Sequence, residues 1–119
     1  MIIKTITPYS QDQLTGLKEQ FDVYIKTVID IQKKVCIAGM DRHFEGETIL
    51  IKDGSKQSDL WGGGIDLENL VIDFNSFINI RPNDNNSSNE IQSIEKRQIF
   101  EELTKHLDRK STRLNSSHT

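Results

Sequence analysis

Lysine, arginine, serine and asparagine near glycine are the groups that hold a phosphate, and two stretches of this chain concentrate them. One is Gly54-Ser55-Lys56-Gln57, followed by Trp61; the other is Asn79 and Arg81, followed by Asn83 in an Asn/Ser-rich run. Lys56 and Arg81 can neutralise an anion, Arg81 through a planar fork of donors. Ser55 and the glycine N–H can cradle it, Asn79 can read base or ribose edges, and Trp61 offers a stacking face. Gln57 and Asn83 complete the candidate ligand-binding set. The plainer account is that Asp73, Asn75, Asn79 and Arg81 form the solvated face of a half-exposed sheet and that Trp61 is core. Gly54-Ser55-Lys56 lacks the upstream glycine and the Lys-Ser/Thr pair of a Walker A loop.

A second group is His43 with Asp41, Glu45 and Glu47. On an extended segment alternate residues share a face, so these could make an acid–base or metal cluster. A zinc or iron site wants more nitrogen or sulfur ligands than this, and no metal or other cofactor is expected. No Ser or Cys stands in a nucleophile elbow, which disfavours a conventional hydrolase and leaves no catalytic residue assigned. Cys36, the one cysteine, is flanked by Val35 and Ile37 and reads as an inert core residue.

The elements that must position these groups follow from period and punctuation. Met1 to Thr7 reads as a strand closed by Pro8. Ser10 with Gln13 is a capping-box pattern, and Leu14, Leu17 and Phe21 continue it as a helix. From Ile25 the period is two, with Ile25, Thr27, Ile29 and Ile31 on one face, and Gln32-Lys33-Lys34 turns the chain into a strand over Val35 to Ala38. Gly39 to Gly46 reads as a polar connection, Thr48 to Lys52 as a strand, and Asp53-Gly54 as a turn. Gly54 to Gly64 reads as loop with a short strand or turn around Leu60 and Trp61, its three consecutive glycines Gly62, Gly63 and Gly64 mobile. Leu70 to Arg81 alternates as the longest strand and Pro82 ends it. Asn83 to Asn89 reads as flexible, and Ser93 caps a last helix with Ile99, Phe100, Leu103 and Leu107 as its core stripe. The fold class is therefore α+β, an antiparallel sheet with an N-terminal and a C-terminal helix, helices on one face.

Residues 108–118 resemble the translation of a short-read sequencing adapter, which makes 108–119 a foreign, disordered tail and residues 1–107 a single α+β domain of metagenomic origin. Over all 119 residues the formal charge is −3; setting aside Asp108 and the basic Arg109, Lys110 and Arg113 lowers it to −5. That balance argues against a nucleic-acid polymer as partner. No apolar run is long enough to cross a membrane and no secretory signal opens the chain, so the expected location is the cytoplasm.

Two segments, Asp53-Gly54-Ser55-Lys56-Gln57-Ser58-Asp59-Leu60-Trp61-Gly62 and Phe77-Ile78-Asn79-Ile80-Arg81-Pro82, resemble the family of domains of unknown function 5674. Val28-Ile29-Asp30-Ile31, His43 and the closing helix stand in the same order, and the resemblance spans roughly residues 1–107. It implies no reaction. Family members resemble Pro-Ser-Gln-Gly-Asn-Arg-Ser after the last strand, where this chain reads Pro82 to Ser88 without the glycine or the second arginine.

The resulting expectation is a non-enzymatic module that binds or sequesters a small polar, phosphate-bearing, nucleotide-like ligand, a homo-oligomer being compatible with it. A phage protein that captures a nucleotide immune signal fits that description by analogy. The alternatives are an acid–base or metal-dependent phosphodiesterase built on His43 and a structural or protein-interaction domain.

Overall fold

A computed structural model describes residues 1–108; the expected disorder of the tail beyond Asp108 lies outside the described residues. The elements are β1 (Ile3–Thr5), α1 (Gln11–Gln20), β2 (Tyr24–Asp30), β3 (Val35–Ala38), α2 (His43–Lys52), β4 (Leu60–Asp66), β5 (Ile72–Asp73) and α3 (Ile94–Thr104). The five strands form one antiparallel sheet in the order β1-β3-β2-β4-β5. The fold is α+β, with a helix near each end of the described chain. Among the described residues no helix is long and apolar enough to cross a membrane.

Helix α1 starts as its capping box dictates. Ser10 Oγ accepts from Gln13 N at 3.1 Å, and Gln13 Oε1 accepts from Ser10 N at 2.9 Å. Such a cap contributes about 1 kcal/mol. The β2–β3 hairpin turns where Lys34 takes φ 58°, and buried Asp30 holds the turn by accepting from Gln32 N and Lys33 N, each at 2.8 Å.

The period of two in β2 gives it two buried faces rather than one. Ile25, Thr27 and Ile29 face α1 and α3, in a core with Leu14, Leu17, Cys36, Trp61 and Phe100. Thr27 and Thr104 share a hydroxyl hydrogen bond at 3.0 Å across that face. Val28 lies on the opposite face with Ile37, Met40, Leu50 and Leu60. Helices therefore cover both faces of the sheet, not one, because the stretch read as connection and strand is helix α2. Its N-cap is Arg42, whose N–H donates to Glu45 Oε1 at 2.8 Å, and buried Gly46 and Leu50 sit inward at helical spacing. Gly46 lets the helix approach closely: a Cβ there would lie 2.7 Å from Met40 Cε. Gly54, at φ 102°, follows the Asp53 C-cap as glycine commonly does after a helix.

The three glycines are not a mobile loop. They are buried residues of β4 and pair with Lys26, Thr27 and Val28 of β2. Their missing side chains make room on both faces. A Cβ on Gly62 would lie 2.8 Å from Ser76 Cβ and 3.1 Å from His43 Cδ2; one on Gly63 would lie 2.7 Å from Phe100 Cζ; one on Gly64 would lie 2.5 Å from Tyr24 Cζ. Nor does the long last strand form. Only Ile72–Asp73 pairs with β4, and the chain then runs through short 3₁₀ turns at Phe77–Asn79 and Pro82–Asp84. Leu70 takes φ 62° in the turn before β5, which breaks the extended run at its start. The Asn-rich run is held rather than loose: Asn86 is buried, and its Nδ2 donates to the carbonyls of Asn79, Ser88 and Glu90, each at 2.9 Å.

Candidate functional site

The fold does bring Trp61, Asn79 and Arg81 close to the Gln57–Leu60 segment, but it spends the polar groups of Asn79 and Arg81 on the protein itself and buries Trp61, whose Nε1 has no hydrogen-bond partner among the described residues. Asn79 is fully buried and its Nδ2 donates to the carbonyls of Gly62, Phe74 and Asn89. The Arg81 guanidinium donates to the Gln57 and Leu60 carbonyls, pairs with Asp84 at 3.8 Å, and lies 3.8 Å over the Trp61 ring. Burial works against the Arg81 charge, while Asp84, Glu47 and Asp59 support it. Lys96 Nζ sits 4.4 Å over the same indole, which is 0% exposed and presents no face for a ligand to stack on. Ser55 turns inward, donating to Asp30 Oδ2 at 2.6 Å. Lys56, Gln57 and Asn83 are exposed, with Gln57 Nε2 reaching Glu47 at 3.5 Å.

A cavity lies instead on the α2 face of the sheet. It has a volume of about 470 Å³ and is lined by Lys26, Arg42, His43, Phe44, Ser76 and Phe77, together with Asp41 and Ile78. Each wall has a local cause. Lys26 projects from β2 beside Gly64, its ladder partner. Ser76 is held by accepting from Ile78 N at 3.2 Å, which starts the turn that carries Phe77 and Ile78. Asp41 and Arg42 precede helix α2, whose first N–H groups have no partner within the helix and carry partial positive charge. The rim is apolar: Phe77 is 84% and Phe44 53% exposed.

His43 is the best-defined group of this cavity. Gly62 has no side chain, where a Cβ would come within 3.1 Å of His43 Cδ2, and the imidazole Nε2 sits 2.7 Å from the Gly63 carbonyl oxygen. A carbonyl only accepts, so Nε2 carries the proton and the neutral ring keeps a lone pair on Nδ1. Burial holds the imidazole pKa below its ordinary 6.5; the bond to Gly63 opposes this, nearby Lys26 adds to it, and Asp73 opposes it. Nδ1 has no partner among the described residues. Tyr24 donates to Asp73 Oδ2 at 2.5 Å, and burial first, then this bond, raises its phenol pKa.

Of the acid–base group, Asp41 and His43 do line the same cavity, while Glu45 serves the helix cap. No group of three or more His, Cys, Asp and Glu among the described residues could share a metal ion. Sequence reasoning missed Lys26, Phe44, Ser76 and Phe77 as site residues. The available signal was Lys26, a cation in β2 between Ile25 and Thr27 on the same face as Val28.

A family model described as "Protein of unknown function (DUF5674)" matches residues 1–107. The chain belongs to that family. The two motif segments of this DUF5674 member are those that wrap Asn79 and Arg81 around β4, and a Cβ on Gly62 of β4 would crowd the cavity residues Ser76 and His43. No curated protein and no solved structure matches the chain.

Proposed function

We propose that this protein binds a small phosphate-bearing, nucleotide-like ligand in the cavity between the start of α2 and the Ser76–Ile78 turn. One observation carries this reading: a single concavity joins two cationic side chains, Lys26 and Arg42, and a helix N-terminus to an apolar rim of Phe44 and Phe77. Cations and first-turn N–H groups attract the phosphate, and the phenyl rings cover a planar ring. The volume falls in the range of small-molecule sites, roughly 300–1,000 Å³. Electrostatics there favour an anion, with Asp41 as the one carboxylate in the lining.

The test is to incubate the protein with a panel of nucleoside phosphates, remove the unbound fraction, denature by heat and identify what is released. Intact nucleotide retained by the wild type and lost from Lys26→Ala/Arg42→Ala supports binding at this cavity. Retention by that double variant, or no retention of any nucleotide, contradicts it.

A second reading is favoured by the unpaired Nδ1 of His43. A neutral imidazole of lowered pKa is a usable base near pH 7, as an acid–base phosphodiesterase needs. Cleaved nucleotide in the released fraction, lost in His43→Gln, would replace binding with catalysis.

A further inference from the structure

We infer that His43 makes the cavity select a phosphoryl group that keeps a proton, by accepting that proton's hydrogen bond at Nδ1. This rests on the cavity being an anion site. The warrant is the fixed tautomer. With Nε2–H committed to the Gly63 oxygen at 2.7 Å, the remaining nitrogen can only accept as long as the ring is neutral. Its lone pair repels a bare oxyanion placed against it and pairs with an O–H.

Of the other polar liners, Lys26 and Arg42 are donors that pair with unprotonated phosphoryl oxygens, Ser76 can donate or accept, and Asp41 can only accept. Cationic donors beside acceptors at His43 Nδ1 and Asp41 match hydrogen phosphate or a protonated phosphate monoester. They do not match sulfate or a phosphodiester, neither of which carries an O–H on the charged group. Sites built around a hydrogen-bonding group on the ligand reject analogues that lack it far more strongly than sites that read size alone.

The probes are inorganic phosphate and sulfate, titrated separately at pH 7 into the isotopically labelled full chain and followed by NMR. Phosphate should bind at least about tenfold more tightly than sulfate, through shifts at His43 and Lys26. His43→Gln, whose amide can turn either a donor or an acceptor to the ligand, should reduce that preference to near unity. Lys26→Ala should weaken both anions alike and leave the preference intact, which keeps the test meaningful if the His43 variant is unstable.

Lowering the pH through the His43 pKa should make Nδ1 a donor, so that sulfate binding rises and the preference collapses. The charged groups facing this ring are Lys26 on β2, Asp73 on β5, and Asp41, Arg42 and Glu45 at the start of α2. The collapse should be absent in His43→Gln, which separates the ring from the carboxylates. Equal binding of both anions by the wild type would overturn the selection and leave the anion site standing. Binding of neither would overturn both.

Discussion

Asn79 binds Gly62 as a neighbouring strand would. Its Oδ1 accepts from Gly62 N at 2.9 Å and its Nδ2 donates to Gly62 O at 2.9 Å, so one side chain closes both backbone groups of a residue in β4. Two further bonds from Nδ2, to the Phe74 and Asn89 carbonyls at 3.0 Å, tie the segment after β5 to the sheet.

Replacing Asn79 by Asp should therefore be severe. The carboxylate would face three carbonyl oxygens in a fully buried position, and a buried group left without partners costs about 1–3 kcal/mol, more when charged. Urea denaturation should show a loss of about 3 kcal/mol or more for Asn79→Asp, or no folded protein. A near-neutral change would mean that the Asn79 network is not formed.

Gly63→Ala tests the packing on the other side of β4. The added Cβ would meet the Phe100 ring at 2.7 Å and the Asp73 carbonyl oxygen closer still, and neither can leave without moving α3 or β5. Overpacking of this kind costs about 1–3 kcal/mol. Thermal denaturation should show a Tm several degrees lower, whereas Gly54→Ala, where the close neighbour among the described residues is Lys33 Nζ at 3.2 Å but φ is 102°, should show strain of backbone origin.

Arg81 and Lys56 should separate cleanly. Trp61 is the single tryptophan, and Arg81 lies over its ring while holding the Gln57 and Leu60 carbonyls. Arg81→Ala should change the tryptophan emission, lower stability by about 2 kcal/mol and leave ligand affinity of the folded fraction unchanged. Exposed Lys56→Ala should change none of the three. Loss of ligand affinity in Lys56→Ala would return the site to the loop before β4.

The half-buried imidazoles should shape the acid limb of stability. Burial lowers the pKa of both His43 and His106 below 6.5, so the unfolded chain takes up these protons first as the pH falls. Stability should be level above about pH 6.5 and decline as the pH drops from there toward the folded pKa values. Denaturant midpoints at pH 7.5 and 5 should show the decline, and His43→Gln should flatten part of it. A wild-type midpoint that rises toward pH 5 would contradict the assigned direction.

What was legible in the sequence was carried by side chains that act locally. Ser10 with Gln13 announced α1, the alternation from Ile25 announced β2, and Ser93 announced α3, where its hydroxyl accepts from Lys96 N at 3.3 Å. What was hidden depended on groups that are missing or that act at a distance. Helix α2 buries Gly46 where a large apolar residue would have marked the period, turns Phe44 outward, and begins at Arg42 instead of a usual capping residue. Strand β4 carries no side chain at its three glycines, so its pattern could not be read. The alternation after Leu70 was real in the sequence, yet Asn79 supplies by side chain the pairing that a longer strand would have supplied by backbone. The cavity shared that fate: His43 was visible, while Ser76 meets it only because Gly62 places no side chain between them, and Lys26 and Phe77 join the lining from distant parts of the chain.

The proposed site is the cavity at the start of α2, and a chemical-shift map with nucleoside 5′-monophosphates reads its place residue by residue. Titrating the labelled wild-type chain should move the signals of Lys26, Arg42, His43, Phe44 and Phe77 together, with Lys56, Gln57 and Asn83 unmoved. Shifts gathered at Lys56, Gln57 and Asn83, or no shifts with any of these nucleotides, would contradict it.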